Sequence, residues 1–347
     1  MKNELSKKLL EKNIFTDILG QESIKKQLKS AILVNRHVIV IGSPGIGKTT
    51  LAKNIAKILP EIEVVAGCEF HCDPKNPICP SCKSSKSLKS VKIPGNERFI
   101  RIQGSPDLTV EDLLGDIDPI KALKFGPLSL EAFTPGKIFK ANKGVLFFDE
   151  LNRCPEKLQN ALLQVLQEKK ATIGSYDVDI PADFIFIATM NPEDSSTEKL
   201  SDVLLDRFDV IYMSYPEDLD IEKKIVVDRG KSVVAVPLHL LDMMVYFVRT
   251  LRESKDLEKK PSVRASIGLY ERSQSNALLN KRKTVIFQDI KDVLISVIAH
   301  RIGLKPSAKY LTSPSDFIQD QFQGLMDSDY GRSLDKDIKK TEKGDSP

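Results

Sequence analysis

The stretch Gly42-Ser-Pro-Gly-Ile-Gly-Lys-Thr49 matches the pattern G-x-x-x-x-G-K-[ST] in full. The apolar run His37-Val-Ile-Val-Ile41 precedes it and has the character of a buried strand. After the motif, apolar residues recur on one face at helical spacing up to residue 59. A glycine-rich loop in this context turns successive backbone N–H groups inward, and the helix N-terminus adds partial positive charge. The sequence therefore predicts a phosphate-binding loop.

This loop indicates which residues would hold a nucleotide and its metal. Lys48 can reach the β and γ phosphates, and Thr49 offers a hydroxyl ligand to Mg²⁺. The residues expected to contact the nucleotide are Gly42, Ser43, Pro44, Gly45, Ile46, Gly47, Lys48, Thr49 and Thr50. A GTP site is disfavoured, because the nearest base-reading candidate, Asn142-Lys-Gly-Val145, lacks the terminal acid that would hold guanine. ATP is therefore the expected nucleotide.

A pair of acids ends the apolar run Val145-Leu-Phe-Phe-Asp149-Glu150. Phosphoryl transfer to water needs a carboxylate near Mg²⁺ and a second group that activates the water. We expect Asp149 to join Thr49 in the Mg²⁺ shell and Glu150 to polarise the attacking water. A strand that ends in two acids is weak evidence alone, but it is much stronger downstream of a complete phosphate loop.

Short apolar runs alternate with helical spacing through the first part of the chain. Besides the run before the loop, they lie at 98–103, 145–148, 184–189 and 210–215. Such runs are typical of strands covered on both faces, so we expect an α/β domain with a parallel sheet over residues 1–216. A cysteine-rich insert, residues 67–97, interrupts this domain, and its polar part, residues 83–97, is predicted to be a loop.

Helical spacing dominates after residue 216. The predicted helices are 218–229, 237–253, 263–279 and 288–302. They give a small all-helical domain over residues 217–326. The last residues, 327–347, are rich in Asp, Lys, Ser and Gly and are predicted to form a disordered tail.

The composition is that of an ordinary globular protein. Of 347 residues, 41% are hydrophobic and 29% charged, which excludes a collagen-like or largely disordered chain. The 52 basic and 48 acidic residues are interspersed, so a net charge of +4 does not demand a nucleic-acid partner. No apolar run approaches the roughly 18 residues that cross a bilayer, and the N-terminus lacks a signal-peptide core. We therefore expect a cytoplasmic protein without a membrane partner.

The motifs together resemble the AAA+ ATPases of the MoxR and magnesium-chelatase ATPase subunit (subunit I) family. The resemblance covers roughly residues 15–305 and implies a P-loop NTPase domain followed by a helical lid. Besides the phosphate loop, it rests on Ile18-Leu-Gly-Gln-Glu22, Asp107–Gly115, Phe133-Thr-Pro-Gly136, Phe148-Asp-Glu-Leu-Asn-Arg153 and Leu158–Glu168.

The resemblance also implies roles for three further residues. Asn191, in Thr189-Met-Asn-Pro192, matches the sensor 1 position that helps to orient the attacking water. Arg207, in Leu204-Leu-Asp-Arg207-Phe208, matches the arginine finger, which acts on the nucleotide of a neighbouring subunit. Arg264 resembles sensor 2, which contacts the nucleotide from the lid. A homo-oligomeric ring, commonly a hexamer, is therefore implied.

Four of the five cysteines lie in GCEFHCDPKNPICPSC, residues 67–82. The spacing C-x3-C-x6-C-x2-C places Cys68, Cys72, Cys79 and Cys82 as candidate ligands of tetrahedral Zn²⁺, and His71 could replace one of them. An iron–sulfur cluster, reduced thiols and a redox disulfide remain alternatives. Residues 64–74 resemble an insert of some prokaryotic magnesium-chelatase ATPase subunits.

Three functional hypotheses follow. A MoxR-like chaperone that remodels or activates a partner protein is favoured by the Asn-Arg after the two acids and by residues 107–115. The motor subunit of a metal chelatase is favoured by the cysteine insert. Either one implies a partner with a von Willebrand A-like domain. A nucleic-acid motor would need a basic strip with stacking aromatics, yet the chain has 15 Phe, 7 Tyr and no Trp.

Overall fold

The computed structural model describes residues 2–126, 129–172, 179–192 and 200–333. The chain forms two compact units, one from residues up to 42 and from 47 to 213, the other from residues 43–46 and from 214 onward. The domain limits given above, 1–216 and 217–326, stay predictions.

Helices and strands alternate through the first unit, and helices dominate the second. The strands are β1 (His37–Ile41), β2 (Ile62–Val65), β3 (Ser90–Ile93), β4 (Phe99–Gln103), β5 (Gly115–Ile117), β6 (Phe133–Pro135), β7 (Val145–Asp149), β8 (Lys170–Thr172), β9 (Asp179–Pro181), β10 (Ile185–Met190), β11 (Phe208–Tyr212), β12 (Leu257–Lys259) and β13 (Gly303–Leu304). The α-helices are α1 (Lys2–Leu10), α2 (Glu22–Leu33), α3 (Lys48–Ile58), α4 (Pro80–Ser84), α5 (Val110–Leu114), α6 (Pro119–Phe125), α7 (Lys137–Lys140), α8 (Glu156–Glu168), α9 (Asp202–Leu205), α10 (Leu219–Arg229), α11 (Leu238–Glu253), α12 (Val263–Leu279), α13 (Phe287–Ile298), α14 (Pro306–Lys309) and α15 (Pro314–Asp327).

The central feature of the first unit is a parallel sheet. Within the described residues it has five strands in the order β11–β1–β10–β7–β4. In β1, Val38 lies opposite Ile187 of β10 and Asp209 of β11. Val38, Ile39 and Val40 are fully buried. Both faces of the central strands are covered, which explains their near-continuous apolar sequences. The predicted α/β fold with a parallel sheet is confirmed.

Helices α3 and α8 bury the faces that their spacing predicts. Leu51 and Ile55 of α3 are fully buried. Leu158 and Leu162 of α8 belong to the core that also contains Phe148 of β7. Each such side chain contributes about 1.5 to 3 kcal/mol through burial, so this packing holds the strand ends in place.

The insert is more structured than predicted. Strand β3 lies inside the predicted loop 83–97 and pairs antiparallel with β2, with Ile93 opposite Ile62. A 3-10 turn, Gly95–Arg98, follows it. The loop prediction is wrong here because the side chains of β3 are mostly exposed and carry no burial signal. The pairing joins segments on either side of the cysteines and is therefore a tertiary contact.

The second unit has its own core. Helices α10 to α13 and α15 enclose buried side chains such as Met243, Phe247, Leu269 and Ile290. The fourth predicted helix, 288–302, ends earlier, at Ile298, and continues as the 3-10 turn Ala299–Arg301.

The predicted tail is only partly described. Tyr330, inside it, stacks on Tyr246 with ring centroids 4.3 Å apart. Residues 334–347 lie outside the described residues. Among the described residues, no helix combines the length and the apolarity that crossing a bilayer requires.

Candidate active site

The phosphate loop leaves the carboxyl end of β1 and runs into α3. The Gly42 N–H donates to the Met190 carbonyl of the neighbouring strand at 3.2 Å. Gly45 and Gly47 have φ angles of +78° and +104°, a region that favours glycine. Lys48 begins the helix, and its Nζ donates to the Gly42 carbonyl. The loop thus has the backbone conformation that its glycines predict.

The order of the sheet brings three predicted site elements to one edge. Strand β10 lies between β1 and β7. Asn191 follows β10, whereas Asp149 ends β7 and Glu150 follows it. The carboxyl ends of neighbouring parallel strands are where α/β proteins bind ligands. The phosphate loop, the sensor 1 candidate and the two acids therefore meet there.

Thr189, on β10, connects the two acids and is fully buried. Its Oγ1 donates to Oδ1 of Asp149 at 2.6 Å and accepts from the backbone N–H of Glu150 at 3.0 Å. One hydroxyl thus fixes both the carboxylate expected near Mg²⁺ and the backbone of the residue expected to activate water. The sequence motifs give Thr189 no catalytic role, because only the pairing of β10 with β7 places it beside the acids.

Glu150 has a constrained backbone and a paired side chain. Its φ and ψ are 55° and 52°, in the left-handed region. Oε2 accepts from Nε2 of Gln103 at 2.9 Å and lies 3.3 Å from Nε of Arg153. A Cβ on Gly104 would lie 2.0 Å from the Glu150 carbonyl oxygen, so the backbone just after β4 approaches this turn more closely than any side chain would allow. The carboxylate of Glu150 is therefore held in a defined position.

Strand β4 also supplies a cation that the sequence analysis missed. Nη2 of Arg101 donates to Oδ2 of Asp149 at 2.6 Å and to Oε1 of Gln103 at 3.1 Å. Arg101 and Gln103 share one face of β4 because they are two residues apart. They could have been found as polar residues at the end of an apolar strand, but the strand order was needed to place them beside Asp149.

Arg264 lies near the start of α12 in the second unit, which also contains Gly45 of the phosphate loop. A Cβ on Gly45 would meet Ser262 Oγ at 2.9 Å and Cγ and Cδ of Arg264 at 3.0 Å. Burial, together with the positive charge of Arg264, lowers the pKa of Arg301. Two neighbouring guanidinium groups favour an anionic ligand. The sensor 2 candidate thus lies against Gly45, within the second unit.

Arg207, the arginine-finger candidate, follows α9. Its Nη1 donates to the Val203 carbonyl at 2.6 Å. The Gln167 amide, oriented so that its oxygen faces the guanidinium, accepts from Nη2 at 2.8 Å. The next residue, Phe208, lies opposite His37 at the start of β1, whereas the phosphate loop follows the end of that strand. Within one chain, Arg207 therefore lies near the opposite end of β1 from the Gly42 end of the loop.

Models of known protein families match three successive parts of the chain. The family model for magnesium chelatase, subunit ChlI, matches residues 14–72. The model for the ATPase family associated with various cellular activities (AAA) matches residues 80–210, and the AAA lid domain model matches residues 250–321. The chain is an AAA+ ATPase of the ChlI and MoxR-like group. It hydrolyses ATP, with Mg²⁺ as the metal cofactor.

Curated relatives of this AAA+ ATPase are magnesium-chelatase subunits. A magnesium-chelatase subunit ChlI homolog of Methanocaldococcus jannaschii is 27% identical over 328 residues, which cover 84% of this chain and 86% of the relative. Subunit ChlI of a Nostoc species is 35% identical over 200 residues, which cover 56% and 52%. A cryo-EM-based model of the complex between magnesium-chelatase subunits BchI and BchD matches with a TM-score of 0.50 and 23% identity, over 85% of this chain and 98% of that one. At that identity, the likeness shows the fold.

The ATPase also carries the predicted cysteine cluster. The four Sγ atoms of Cys68, Cys72, Cys79 and Cys82 lie within 4.8 Å of one another, and those of Cys68 and Cys79 are 3.8 Å apart. The backbone N–H groups of Ile78 and Cys79 both donate to Cys72 Sγ at 3.3 Å. Hydrogen bonds from Cys72, and then Cys79, lower the pKa of the Cys68 thiol, whereas burial raises the pKa of Cys82 to about 12. A cation would be needed to hold four thiolates together.

The loop between the first two cysteines is attached to the segment that leads into β7. Nδ1 of His71 lies 2.9 Å from the Asn142 carbonyl, and Nδ2 of Asn142 donates to the Phe70 carbonyl at 2.9 Å. The rings of Phe70 and Phe139 are 5.4 Å apart. Within the described residues, His71 is not part of the group of possible metal ligands. The insert is therefore packed against the α/β unit through side chains that the cluster does not use.

Proposed function

We propose that this AAA+ ATPase is the motor subunit of a chelatase-type complex, which uses ATP hydrolysis in a ring to change the conformation of a partner protein. The observation that supports a hydrolytic motor is the set of groups at adjacent strand ends, namely the phosphate loop, Asp149, Glu150 and Asn191. The match with a magnesium-chelatase ChlI homolog over most of both chains favours the chelatase role.

Each site residue has a role that its chemistry supports. Lys48 and the loop N–H groups would bind the phosphates. The Thr49 hydroxyl and the Asp149 carboxylate are hard oxygen ligands, which fit Mg²⁺. Bound Mg²⁺·ATP supplies the phosphoryl group and a cation that offsets its charge. Glu150 would orient the water and accept its proton, with Asn191 helping to position the same water.

Two substitutions test this assignment. We expect Lys48→Ala to lose both nucleotide binding and turnover, because the phosphates lose their cation. We expect Glu150→Gln to keep ATP bound but to stop hydrolysis, because the amide cannot accept the proton. Lys53→Ala, on the exposed face of the same helix, serves as the control. Binding of a fluorescent ATP analogue and phosphate release measure the two steps, and wild-type turnover by Glu150→Gln would contradict its role.

A ring would place Arg207 of one subunit at the nucleotide of the next, and we propose a homo-oligomer, with a hexamer as the working model. A guanidinium in that position stabilises charge that develops on the γ phosphate. Arg207→Ala and Lys48→Ala enzymes are each expected to be inactive. Mixed before assembly, they should recover part of the activity, because some sites then combine an intact loop with an intact arginine. No recovery in co-assembled mixtures would refute the trans role.

The partner is proposed to be a protein with a von Willebrand A-like domain. In the chelatase role, phosphate release should be coupled to insertion of a metal into a tetrapyrrole, which its fluorescence reports. The second candidate is a MoxR-like chaperone, favoured by Arg153 after the two acids, whose Nε lies 3.3 Å from Glu150 Oε2. A partner that stimulates phosphate release without any tetrapyrrole chemistry would favour the chaperone. Stimulation by DNA alone would instead favour a nucleic-acid motor.

The cysteine cluster is proposed to be a structural Zn²⁺ site. Four sulfurs at about 2.3 Å from a tetrahedral zinc are about 3.8 Å from each other. The Cys68 and Cys79 sulfurs have that separation. N–H donors to Cys72 Sγ supply the outer-shell hydrogen bonds that metal-bound thiolates typically receive. The separation is too long for a disulfide, whose sulfurs lie about 2.0 Å apart.

Elemental analysis of purified enzyme distinguishes the remaining alternatives. We expect one zinc per chain in the wild type and a loss of zinc in Cys72→Ser. Cys154→Ser removes a buried thiol outside the cluster and should keep the metal. Iron with visible absorbance would indicate an iron–sulfur cluster, and a metal-free protein in which the four cluster thiols are reduced would exclude both metals.

A further inference from the structure

The second unit contains a buried carboxylate with an unusual number of partners. Glu222 of α10 has no exposed surface. Its two oxygens accept from Nη1 and Nη2 of Arg252, each at 2.6 Å, and from Ser266 Oγ at 2.8 Å. Nη1 of Arg249 lies 3.3 Å away. One carboxylate of α10 thus binds two arginines of α11 and a serine of α12.

The same arginines bind backbone carbonyls at two distant places in the chain. Arg249 donates to the carbonyls of Pro216 and Glu217, both at 2.8 Å. Nε of Arg252 donates to the Pro261 carbonyl at 2.7 Å. Pro216 and Glu217 lie at the start of the second unit, and Pro261 directly precedes Ser262, the N-cap of α12. The cluster therefore fixes the entry segment and the beginning of α12 relative to each other.

Stability alone is a poor explanation for this arrangement. Removing charges from water costs free energy that a buried ion pair often fails to recover, and apolar packing of equal volume is frequently as stable. A hydrogen-bonded ionic cluster instead restricts the segments that it joins to one relative position. Here that restriction is imposed on the first turns of α12, through Pro261 before the helix and Ser266 within it.

Arg264 lies between those two fixed points. Its Cγ and Cδ lie 3.0 Å from the position that a Cβ on Gly45 would take. We infer that Glu222, held by Arg249 and Arg252, is a positioning residue that orients Arg264 toward the phosphates of the nucleotide. The inference rests on the nucleotide role proposed above for Arg264. It adds that this role depends on a carboxylate 42 residues earlier in the chain that need not touch the nucleotide itself.

A double-mutant cycle tests the inference without disrupting the ion pair. Ser266→Ala removes one hydrogen bond to Glu222 and leaves both arginines in place. Ser273→Ala is the matched control, because Ser273 is equally buried in the same helix but bonds to the Tyr270 carbonyl instead. We expect Ser266→Ala to weaken binding of a fluorescent ADP analogue about fivefold, the size of one lost hydrogen bond. In an Arg264→Ala background, the same substitution should have no further effect.

Each outcome is decisive. If Ser266→Ala binds nucleotide as well as Ser273→Ala does, the positioning role is overturned. If the loss of nucleotide affinity from Ser266→Ala adds to the loss from Arg264→Ala, Glu222 does not act through Arg264. The inference is then overturned, whereas the proposed role of Arg264 stands. If Arg264→Ala binds nucleotide like the wild type, the proposed role of Arg264 fails and this inference fails with it. Thermal melting of all variants shows whether the change in affinity exceeds what a loss of stability would cause.

Discussion

Replacing Thr189 by valine should weaken the support of both Asp149 and Glu150 at once. Valine has nearly the same shape, but it removes the hydroxyl that donates to Asp149 and accepts from the Glu150 N–H. Asp149 keeps 15% of its side-chain surface exposed, so water can replace part of the lost hydrogen bond. We therefore assign a free-energy loss of about 1.5 kcal/mol to the bond between Thr189 and Asp149. Leaving the N–H unpaired costs about 1.5 kcal/mol more. The expected loss of stability is therefore about 3 kcal/mol.

Both stability and turnover report this loss. For a unit of this size, a loss of that magnitude lowers the melting temperature by about 6 to 12 °C, which differential scanning fluorimetry measures. If half of this free-energy loss also raises the activation barrier of hydrolysis, kcat falls about tenfold while nucleotide affinity is unchanged. Thr189→Ser retains the hydroxyl and should recover most of the activity at a cost of about 1 kcal/mol. A valine variant that melts within 2 °C of the wild type (well below the range expected from the size of the unit) and hydrolyses ATP normally would refute the bridge.

Three further predictions concern the turn after β7 and the insert. Gly104→Ala places a Cβ 2.0 Å from the Glu150 carbonyl oxygen and should cost about 3 kcal/mol and most of the turnover. Gly324→Ala, where a Cβ meets nothing within 4 Å, should melt at or slightly above the wild-type temperature, and equal melting of the two variants would contradict the packing described. Asn142→Ala removes the amide that binds the Phe70 carbonyl, so zinc should pass to a colorimetric chelator severalfold faster than from the wild type. Complete removal of zinc should expose the cysteine-rich insert to proteases while the parallel sheet stays folded, and an unchanged digestion pattern would argue against a structural metal.

The sequence could predict the features that depend on local contacts. A strand, a glycine loop and a helix follow one another within residues 37–58, so their backbone conformations and their chemistry are set by neighbours in the chain. The same holds for the acids at the end of β7. Cysteine spacing likewise indicated the cluster of four thiols, because they lie within 15 positions of one another.

Other features could not be predicted because they depend on the order of strands. Thr189 is about 40 positions from the acids it joins, and it becomes their neighbour only because β10 lies beside β7. Arg101 likewise lies beside Asp149 only because β4 pairs with β7, on the side opposite to β10. The pairing of β3 with β2 was missed for a similar reason, since the partner strand lies beyond the cysteines.

The motifs by themselves thus determined which reaction this chain catalyses, and the fold decided how its reactive groups are held. A phosphate loop is recognisable in sequence because its hydrogen bonds are made by consecutive residues. The hydrogen bonds that hold the side chains of Asp149 and Glu150 come from residues far apart in the chain. Which of many polar side chains becomes the partner is fixed only when the strands and helices have packed, since a buried charged group can then bond only to the groups that the packing places beside it.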